Sequence, residues 1–362
     1  LFFYSFFKNS KIILNTIKKE DAVFWFHSAS LGEYIQAEPL IKALQKKNPT
    51  VKFLLSFFSP SGYEIIKEKN KVDCVVYLPL DTKKNAKRFL EIVHPKAVFF
   101  IKNDFWANYI FELSKNKIPF FFIVSTFRKE QLFFKWYGIF FRNLLKKANY
   151  FFLQDKKSKE LLEKINIKNV SIVGDTRYDK VFETFNKNIS LDIMEAFLKN
   201  KLCFVAGSTW AEDYEVFLEE IQKHDMKIVI APDTDKKVLI LDTIGILSKI
   251  YSYANWAYVG GGMRKKGLHN ILEPTVFGIP VIIGAKYTAF YEAVQLVKNG
   301  GVISVKTKQE FKKITKNLIA DPKKRKQLGL LNKHFLESQK GSTARILEKL
   351  SKKKMIKISF KK

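Results

Sequence analysis

The sequence of 362 residues holds only two cysteines, Cys74 and Cys203, each inside an apolar run. So few exclude a disulfide framework, and both read as small core residues in a reducing compartment. Also missing is any uncharged apolar run of about 20 residues, the length a bilayer-spanning helix needs. The apolar stretch Leu1–Phe7 is too short for that and reads as the stub of a membrane anchor or as an interfacial foot. The chain begins at Leu1 rather than Met, so its start is expected upstream. There is no signal peptide with a cleavage site. The five histidines, at 27, 94, 224, 269 and 334, are scattered and lack zinc-ligand spacing, so neither a metal nor another cofactor is expected. No short-period repeat is visible, which argues against a solenoid. Acidic residues are scarce: 35 stand against 64 Lys and Arg, for a formal net charge of +29. Such a chain attracts polyanions. A lysine-rich, AT-biased composition that merely coats the surface accounts for the charge equally well. With no nucleic-acid-binding module in view, an anionic membrane surface or a phosphorylated substrate is a better partner than nucleic acid.

What is present is a globular composition, 47% hydrophobic and 27% charged, long enough for two domains with their own cores. Short apolar runs alternate with amphipathic stretches. Strands are expected at Ala22–His27, Val51–Phe57, Val75–Leu78, Ala97–Ile101 and Pro119–Val124, with helices between them. The second half repeats the style, with strands at Leu202–Ala206, Lys227–Ala231, Ala257–Gly260, Val281–Gly284 and Val302–Val305, and a long Lys-rich helical tail from about Gln309. This alternation predicts α/β architecture with parallel sheets covered by helices on both faces. The strand pattern pauses near Lys180–Asp192. The expected domains are therefore residues 1–185 and 186–345, followed by a basic tail at 346–362. One connection is too short: Pro232–Lys237 separates strand Lys227–Ala231 from a strand-like run at Val238–Leu241. Parallel neighbours need a crossover of about a dozen residues, so either a hairpin forms there or a βα segment has been lost.

Four motifs sit where open α/β sheets bind ligands, at the carboxyl ends of strands. In the first, His27–Glu33 (HSASLGE), Glu33 reads either as a general base facing a cleft or as the acid of a capping box with Ser30. In the second, Lys102–Trp106 (KNDFW), Asp104 either orients a sugar hydroxyl or caps a helix. In the third, Gly207-Ser208-Thr209, hydroxyls and N–H groups at a helix start either cradle a phosphate or merely cap the helix. The fourth combines Gly260-Gly261-Gly262 with Gly267–Pro274 (GLHNILEP) and Phe277–Val281 (FGIPV). Its glycines allow close backbone approach to a ligand. Its Glu273 opens a helix as does the acid that grips ribose hydroxyls in nucleotide-sugar enzymes of two-Rossmann type. Asp233-Thr234-Asp235 forms a D-x-D, a metal-binding pattern of a different glycosyltransferase fold, and is read here as a decoy.

These pieces, in this order, resemble the 3-deoxy-D-manno-octulosonic acid (Kdo) transferase family in the form found in Bacteroidetes-like bacteria. The resemblance runs from about Val23 to Lys340. It is carried by FHSASLGEYIQAEPLI, LLSFFSPSGYEI, YLPLDTKKNAKRFLEIVHP, VSTFRKEQLFFKWYGIFFRNLL, VSIVGDTRYDKV, VAGSTWAEDYEV and YVGGGMRKKGLHNILEPTVFGIPVIIG. It implies a GT-B fold, two Rossmann-like domains facing each other across a cleft. It further implies inverting, metal-free transfer of Kdo from CMP-Kdo to the lipid A precursor in lipopolysaccharide core biosynthesis, at the cytoplasmic face of the inner membrane. Glu33 then matches the family's base, with Asp104 as its catalytic companion. Arg177, Ser208, Thr209, Gly260, Gly261, Gly262, His269, Asn270 and Glu273 fall on the donor side, and Ser30, Gly32 and Arg128 on the acceptor side. The chain departs from the family's pattern at its N-terminus, at Asp104, where glutamate is usual, and after Pro232, where a Pro-His motif and a helical segment are expected. Two alternatives remain open: a decayed, non-catalytic relative with a shortened donor domain, and another GT-B nucleotide-sugar enzyme.

Overall fold

The computed structural model describes residues 10–69, 71–186, 190–232, 246–264 and 267–356. Two compact units emerge, one of residues 1–180 with 341–362 and one of residues 181–340.

The first unit is built on seven strands: β1 (Val23–Ser28), β2 (Lys52–Phe57), β3 (Cys74–Tyr77), β4 (Ala97–Ile101), β5 (Phe120–Ser125), β6 (Tyr150–Leu153) and β7 (Val170–Ile172). Their order is β3-β2-β1-β4-β5-β6-β7, and every pair is parallel. All six residues of β1 are buried, as a strand covered on both faces requires. The abundant phenylalanines form ladders across these strands. Phe100 stacks on its register partner Phe122 at 5.4 Å, and Phe122 on Phe151 at 5.1 Å. On the opposite face Phe26 stacks on Phe99 at 4.4 Å. Cross-strand aromatic pairs of this kind hold register as well as burying area.

The helix Leu31–Lys47 follows β1 and carries Glu33 in its first turn. It is fastened to the segment that leaves the unit. Thr176 donates to the Gln36 carbonyl (2.6 Å), Gln36 donates to Asp175 (3.0 Å), and Lys180 pairs with Glu38 (2.8 Å). The buried Asp175 carboxyl tends upward through desolvation, but the Arg177 guanidinium at 2.7 Å and hydrogen bonds from the Arg177 N–H and Gln36 together hold it below the usual range.

The second unit has β8 (Cys203–Thr209), β9 (Lys227–Pro232), β10 (Trp256–Val259), β11 (Val281–Gly284) and β12 (Val302–Val305), in the order β12-β11-β10-β8-β9 and again parallel. Both sheets reverse direction beside their first strand, between β1 and β4 and between β8 and β10. In open α/β sheets those are the places where a crevice opens at the carboxyl edge.

Several expectations need correction. Strands β6 and β7 have no counterpart in the sequence reading. The Lys-rich tail is three helices, Lys308–Ala320, Pro322–Gln339 and Ser342–Lys352, because Pro322 and Gly341 interrupt it. The division between units falls after residue 180 rather than 185, and residues from 341 onward return to the first unit, so neither the expected domain end at 345 nor a tail beginning at 346 holds. That return is built in: Ile346 and Leu350, one helical turn apart, are buried in the first unit's core. The Asp179 carboxylate accepts from the N–H groups of Gly341 and Thr343, both at 2.7 Å, and Arg345 clasps the Val173 carbonyl. The stretch 233–245, with the D-x-D, the short connection and the strand expected at Val238–Leu241, lies outside the described residues, as does Leu1–Phe7. Among the described residues no helix is long and apolar enough to cross a membrane.

Truncating Ile346 to Ala removes a buried side chain from the first unit. It should cost about 2–5 kcal/mol in urea unfolding. An unchanged midpoint would show that the terminal helix is not part of that core.

Candidate active site

In the first unit the loops after β1 and β4 flank the switch point. Trp25 and His27 alternate onto one face of β1, and His27 lies opposite Ser56 of β2 in register. His27 is fully buried, yet both ring nitrogens are satisfied, by Ser56 Oγ at 2.8 Å and by Asp104 at 2.7 Å. The directions follow from the ends of the chain. The Trp25 indole can only donate, and does so to Ser56 Oγ at 2.7 Å. Ser56 then has one proton to give; its nearer acceptor is His27 Nδ1, the Phe26 carbonyl being 3.4 Å away. His27 therefore keeps its proton on Nε2 and donates it to the Asp104 carboxylate. Burial alone would raise the Asp104 carboxyl. The hydrogen bond that His27 donates works against burial, with a smaller contribution from Trp106, and the carboxyl is held below the usual carboxylate range.

The backbone around Asp104 is braced. Lys102 adopts a left-handed φ of 58°, as does Val124 at the irregularity that ends β5. Ser125 Oγ donates to the Lys102 carbonyl (2.6 Å), and Asn103 exchanges hydrogen bonds with the backbone of Thr126. A β-branched residue at positive φ is costly, and such strain collects at functional sites.

Glu33 does not complete a capping box. The N-cap residue Ser30 makes no side-chain cap bond, and Glu33 accepts instead from the Ala29 N–H at 2.5 Å. Its carboxyl is pushed above the ordinary value, first by burial and then by the nearby Asp104 charge. The Ala29 hydrogen bond and the Lys102 ammonium pull the other way. Two acids thus share one crevice, with the charge of Asp104 fixed and the proton of Glu33 harder to remove. Asp104 is not a helix cap, since the N-cap position of the next helix is Trp106. Gly32 is exposed, and the nearest atom to a Cβ placed there is Ser30 Oγ at 3.9 Å, so nothing in the protein requires a glycine at this turn. Arg128 is exposed on the loop after β5, where its N–H is held by Gln131 (2.9 Å). Arg177 belongs to the first unit and is ion-paired with Asp175, whereas the other residues assigned to the donor lie in the second unit.

In the second unit Ser208 and Thr209 end β8 rather than starting a helix, and the N-cap is Trp210. Ser208 has φ 54° where the β8–β9 register shifts. Thr209 is buried, and its hydroxyl donates to Tyr214 (3.0 Å). The glycine run is explained by packing. A Cβ at Gly260 would lie 2.1 Å from the Ser208 carbonyl oxygen and one at Gly262 2.7 Å from the Gly284 nitrogen, while Gly261 has φ 87°. Buried Asp213 ties this loop down, accepting from the N–H groups of Trp210 (2.9 Å) and Gly261 (3.0 Å) and from the Tyr258 hydroxyl (2.8 Å). His269 Nε2 accepts from the Trp210 indole at 3.1 Å, and the Arg264 guanidinium lies 4.4 Å over that indole. Asn270 donates to Glu273 at 3.0 Å while its own oxygen accepts from the Leu272 N–H. Burial pushes the Glu273 carboxyl up, and the Asn270 hydrogen bond only partly offsets it. A desolvated carboxyl with this one side-chain donor keeps acceptor capacity for ligand hydroxyls. Among the described residues no cluster of three or more His, Cys, Asp or Glu could hold a metal ion.

Reading the sequence missed His27 as the partner of Asp104, and with it Ser56 and Trp25. It also missed Asp213 and Trp210. Their signal lies in strand pairing, since His27 and Asp104 are 77 positions apart.

A family model described as 3-deoxy-D-manno-octulosonic-acid transferase (kdotransferase) matches residues 6–180. A 3-deoxy-D-manno-octulosonic acid transferase from Aquifex aeolicus is 28% identical over 328 residues, covering 82% of this chain and 86% of the relative. One from Haemophilus influenzae is 26% identical over 374 residues, covering 90% and 86%. Among solved structures, a UDP-GlcNAc 2-epimerase from Neisseria meningitidis matches with a TM-score of 0.66 at 17% identity, covering 92% of this chain and all of that one. That likeness shows the fold alone, the two-Rossmann GT-B type.

The raised Glu33 carboxyl has a consequence for stability. The folded state binds that proton more tightly than the unfolded chain, so ionisation costs stability as pH rises above the ordinary value of 4.5, fully so beyond the raised value. Glu33→Gln should therefore melt at a higher temperature than the native chain at neutral pH, and the difference should close as pH falls to 4.5 and below. Equal melting at both pH values would mean that Glu33 bears no such cost.

Proposed function

We propose that the chain is a member of the Kdo transferase family and that it moves Kdo from CMP-Kdo onto a sugar hydroxyl of the lipid A precursor with inversion at the anomeric carbon. What supports the mechanism is the pair of acids on the loops that flank the sheet's switch point, Asp104 bonded to His27 at 2.7 Å with its carboxyl lowered and Glu33 held by the Ala29 N–H at 2.5 Å with its carboxyl raised. Ionised Glu33 takes the proton from the acceptor hydroxyl as that oxygen attacks the anomeric carbon. The bond from that carbon to the CMP phosphate breaks, and CMP leaves as a phosphate monoester. A raised pKa makes Glu33 a stronger base than an ordinary surface carboxylate. Asp104, kept charged by His27, accepts a hydrogen bond from the sugar and fixes its orientation.

Ser30 and the bare turn at Gly32 make room for the acceptor, and Arg128 meets its phosphates. The donor is held by the second unit: Ser208 and Thr209 lie toward its phosphate, and Glu273, steadied by Asn270, takes ribose hydroxyls. Gly260, Gly261 and Gly262, with His269, shape the nucleotide pocket. Arg177 acts on the donor only if its pairing with Asp175 is exchanged. The setting is lipopolysaccharide synthesis at the cytoplasmic face of the inner membrane.

Transfer from CMP-Kdo generated in situ to tetraacylated lipid A precursor, without added metal, tests this reading. Glu33→Ala should lose roughly 10²–10⁴-fold in rate, the usual worth of a positioned base. Native-like turnover by that variant would remove Glu33 from the mechanism. The acidic limb of kcat/KM for the native chain should lie above the ordinary carboxylate value. Asp104→Asn, which removes the charge that raises Glu33, should move that limb to lower pH while slowing the reaction. A limb that stays in place or moves upward would contradict the coupling of the two acids.

A further inference from the structure

The loop after β5 carries an exposed aromatic surface that the transfer mechanism does not use. Residues 126–138 include a 3₁₀ turn, Leu132–Phe134, and lead into the helix Ile139–Leu145. The loop is braced. Phe133 is buried in the core, and Arg142 reaches back to the carbonyls of Phe133 (3.3 Å), Lys135 (2.5 Å) and Trp136 (3.2 Å). The chain folds so tightly that a Cβ at Gly138 would lie 1.8 Å from the Leu132 oxygen. On this rigid turn Trp136 is 90% exposed, and Leu132, Tyr137, Ile139 and Phe140 are exposed with it. Trp136 and Tyr137 sit edge to face at 5.4 Å. Phe140 extends the surface to exposed Phe111 (6.0 Å), and the Lys147 ammonium stands 5.2 Å over that ring. Lys83 and Lys115 line the same hollow beside Phe111.

Contiguous exposed apolar surface marks a docking site, and its chemistry selects the occupant. Protein interfaces are depleted in lysine at their cores. Tryptophan and tyrosine prefer the headgroup level of a bilayer, and lysine stems lie along apolar surface while their ammonium groups reach anionic headgroups. The chain's net charge of +29 complements such a surface. Because the sheet is parallel, this loop leaves the same edge as the loops that carry Glu33 and Asp104. We propose that the braced turn around Trp136 is a membrane foot that inserts its aromatic rings into the headgroup layer of an anionic bilayer. The inference extends the lipid-acceptor reading above, holding the first unit where such an acceptor resides.

Co-sedimentation of the full chain with lipid vesicles tests it without donor or acceptor, and so independently of the transfer reaction. Native protein should bind vesicles of phosphatidylethanolamine with phosphatidylglycerol, and bind phosphatidylcholine vesicles far less. Trp136→Glu with Phe140→Glu should weaken partitioning by roughly tenfold or more. Reversing the exposed second-unit lysines Lys323, Lys324 and Lys326 to Glu should leave it within about twofold. Tryptophan emission should shift to the blue on binding, and Trp136→Phe should lose most of that shift. The proposal is overturned if the double variant sediments like the native chain, which would leave Leu1–Phe7 or overall charge as the membrane determinant. It is overturned equally if the lysine reversals weaken binding as much, or if the native chain binds neither vesicle.

Discussion

A parallel sheet that grows outward on both sides of its first strand cannot run its crossovers over one another at the point of divergence. The loops leaving the two central strands must part there. In the first unit that constraint separates the loop after β1 from the loop after β4, bringing Glu33 and Asp104 to one crevice from positions 33 and 104. The second unit obeys the same constraint between β8 and β10, where Ser208 and the glycine run meet. Lys102 and Ser208, at positive φ, stand on the loops beside these divergences, and Val124 ends the neighbouring β5 in the same way; other residues at positive φ, such as His94 and Lys199, cap helices.

Electrostatics then divides the work between the two acids. Asp104 has lost water but gained the His27 N–H, whose direction is fixed by Ser56 and Trp25 inside the core. It stays charged, and that charge falls on Glu33, which has the single backbone donor at Ala29 and burial of its own. A chain of hydrogen bonds in the core thus adds to burial in raising the basicity of a side chain in the crevice. In the second unit Glu273 is likewise desolvated, with Asn270 as its side-chain donor, and so gains from a ligand that brings hydroxyls.

Much of this was legible in the sequence because local pattern and burial agree. The spans Ala97–Ile101, Val281–Gly284 and Val302–Val305 are apolar runs that fold as the strands read from them. Glu33 and Asp104 could be singled out because each follows such a run. Strand β7 was hidden because three residues are too few for a period to register, whereas β6, YFFL, is as long and as apolar as strands that were read and has no such reason. Which of two roles Glu33 and Asp104 play depends on partners far off in sequence, Ala29 aside. The dyad of His27 with Asp104 exists only once β1 lies between β2 and β4. The glycines show the opposite limit: Gly260 and Gly262 read as room for a ligand, yet backbone packing against Ser208 and Gly284 already demands them.

The central claim is that burial, reinforced by the charge of Asp104 that His27 holds in place, keeps the Glu33 carboxyl above its ordinary value. It is tested most directly by following the side-chain carboxyl resonances of ¹³C-labelled glutamate in the intact protein through a pH titration, with Glu33→Gln identifying the signal. The account predicts a Glu33 midpoint above 4.5 in the native chain that drops when Asp104 is replaced by Asn. A midpoint at or below the ordinary value, or one indifferent to Asp104, would contradict it.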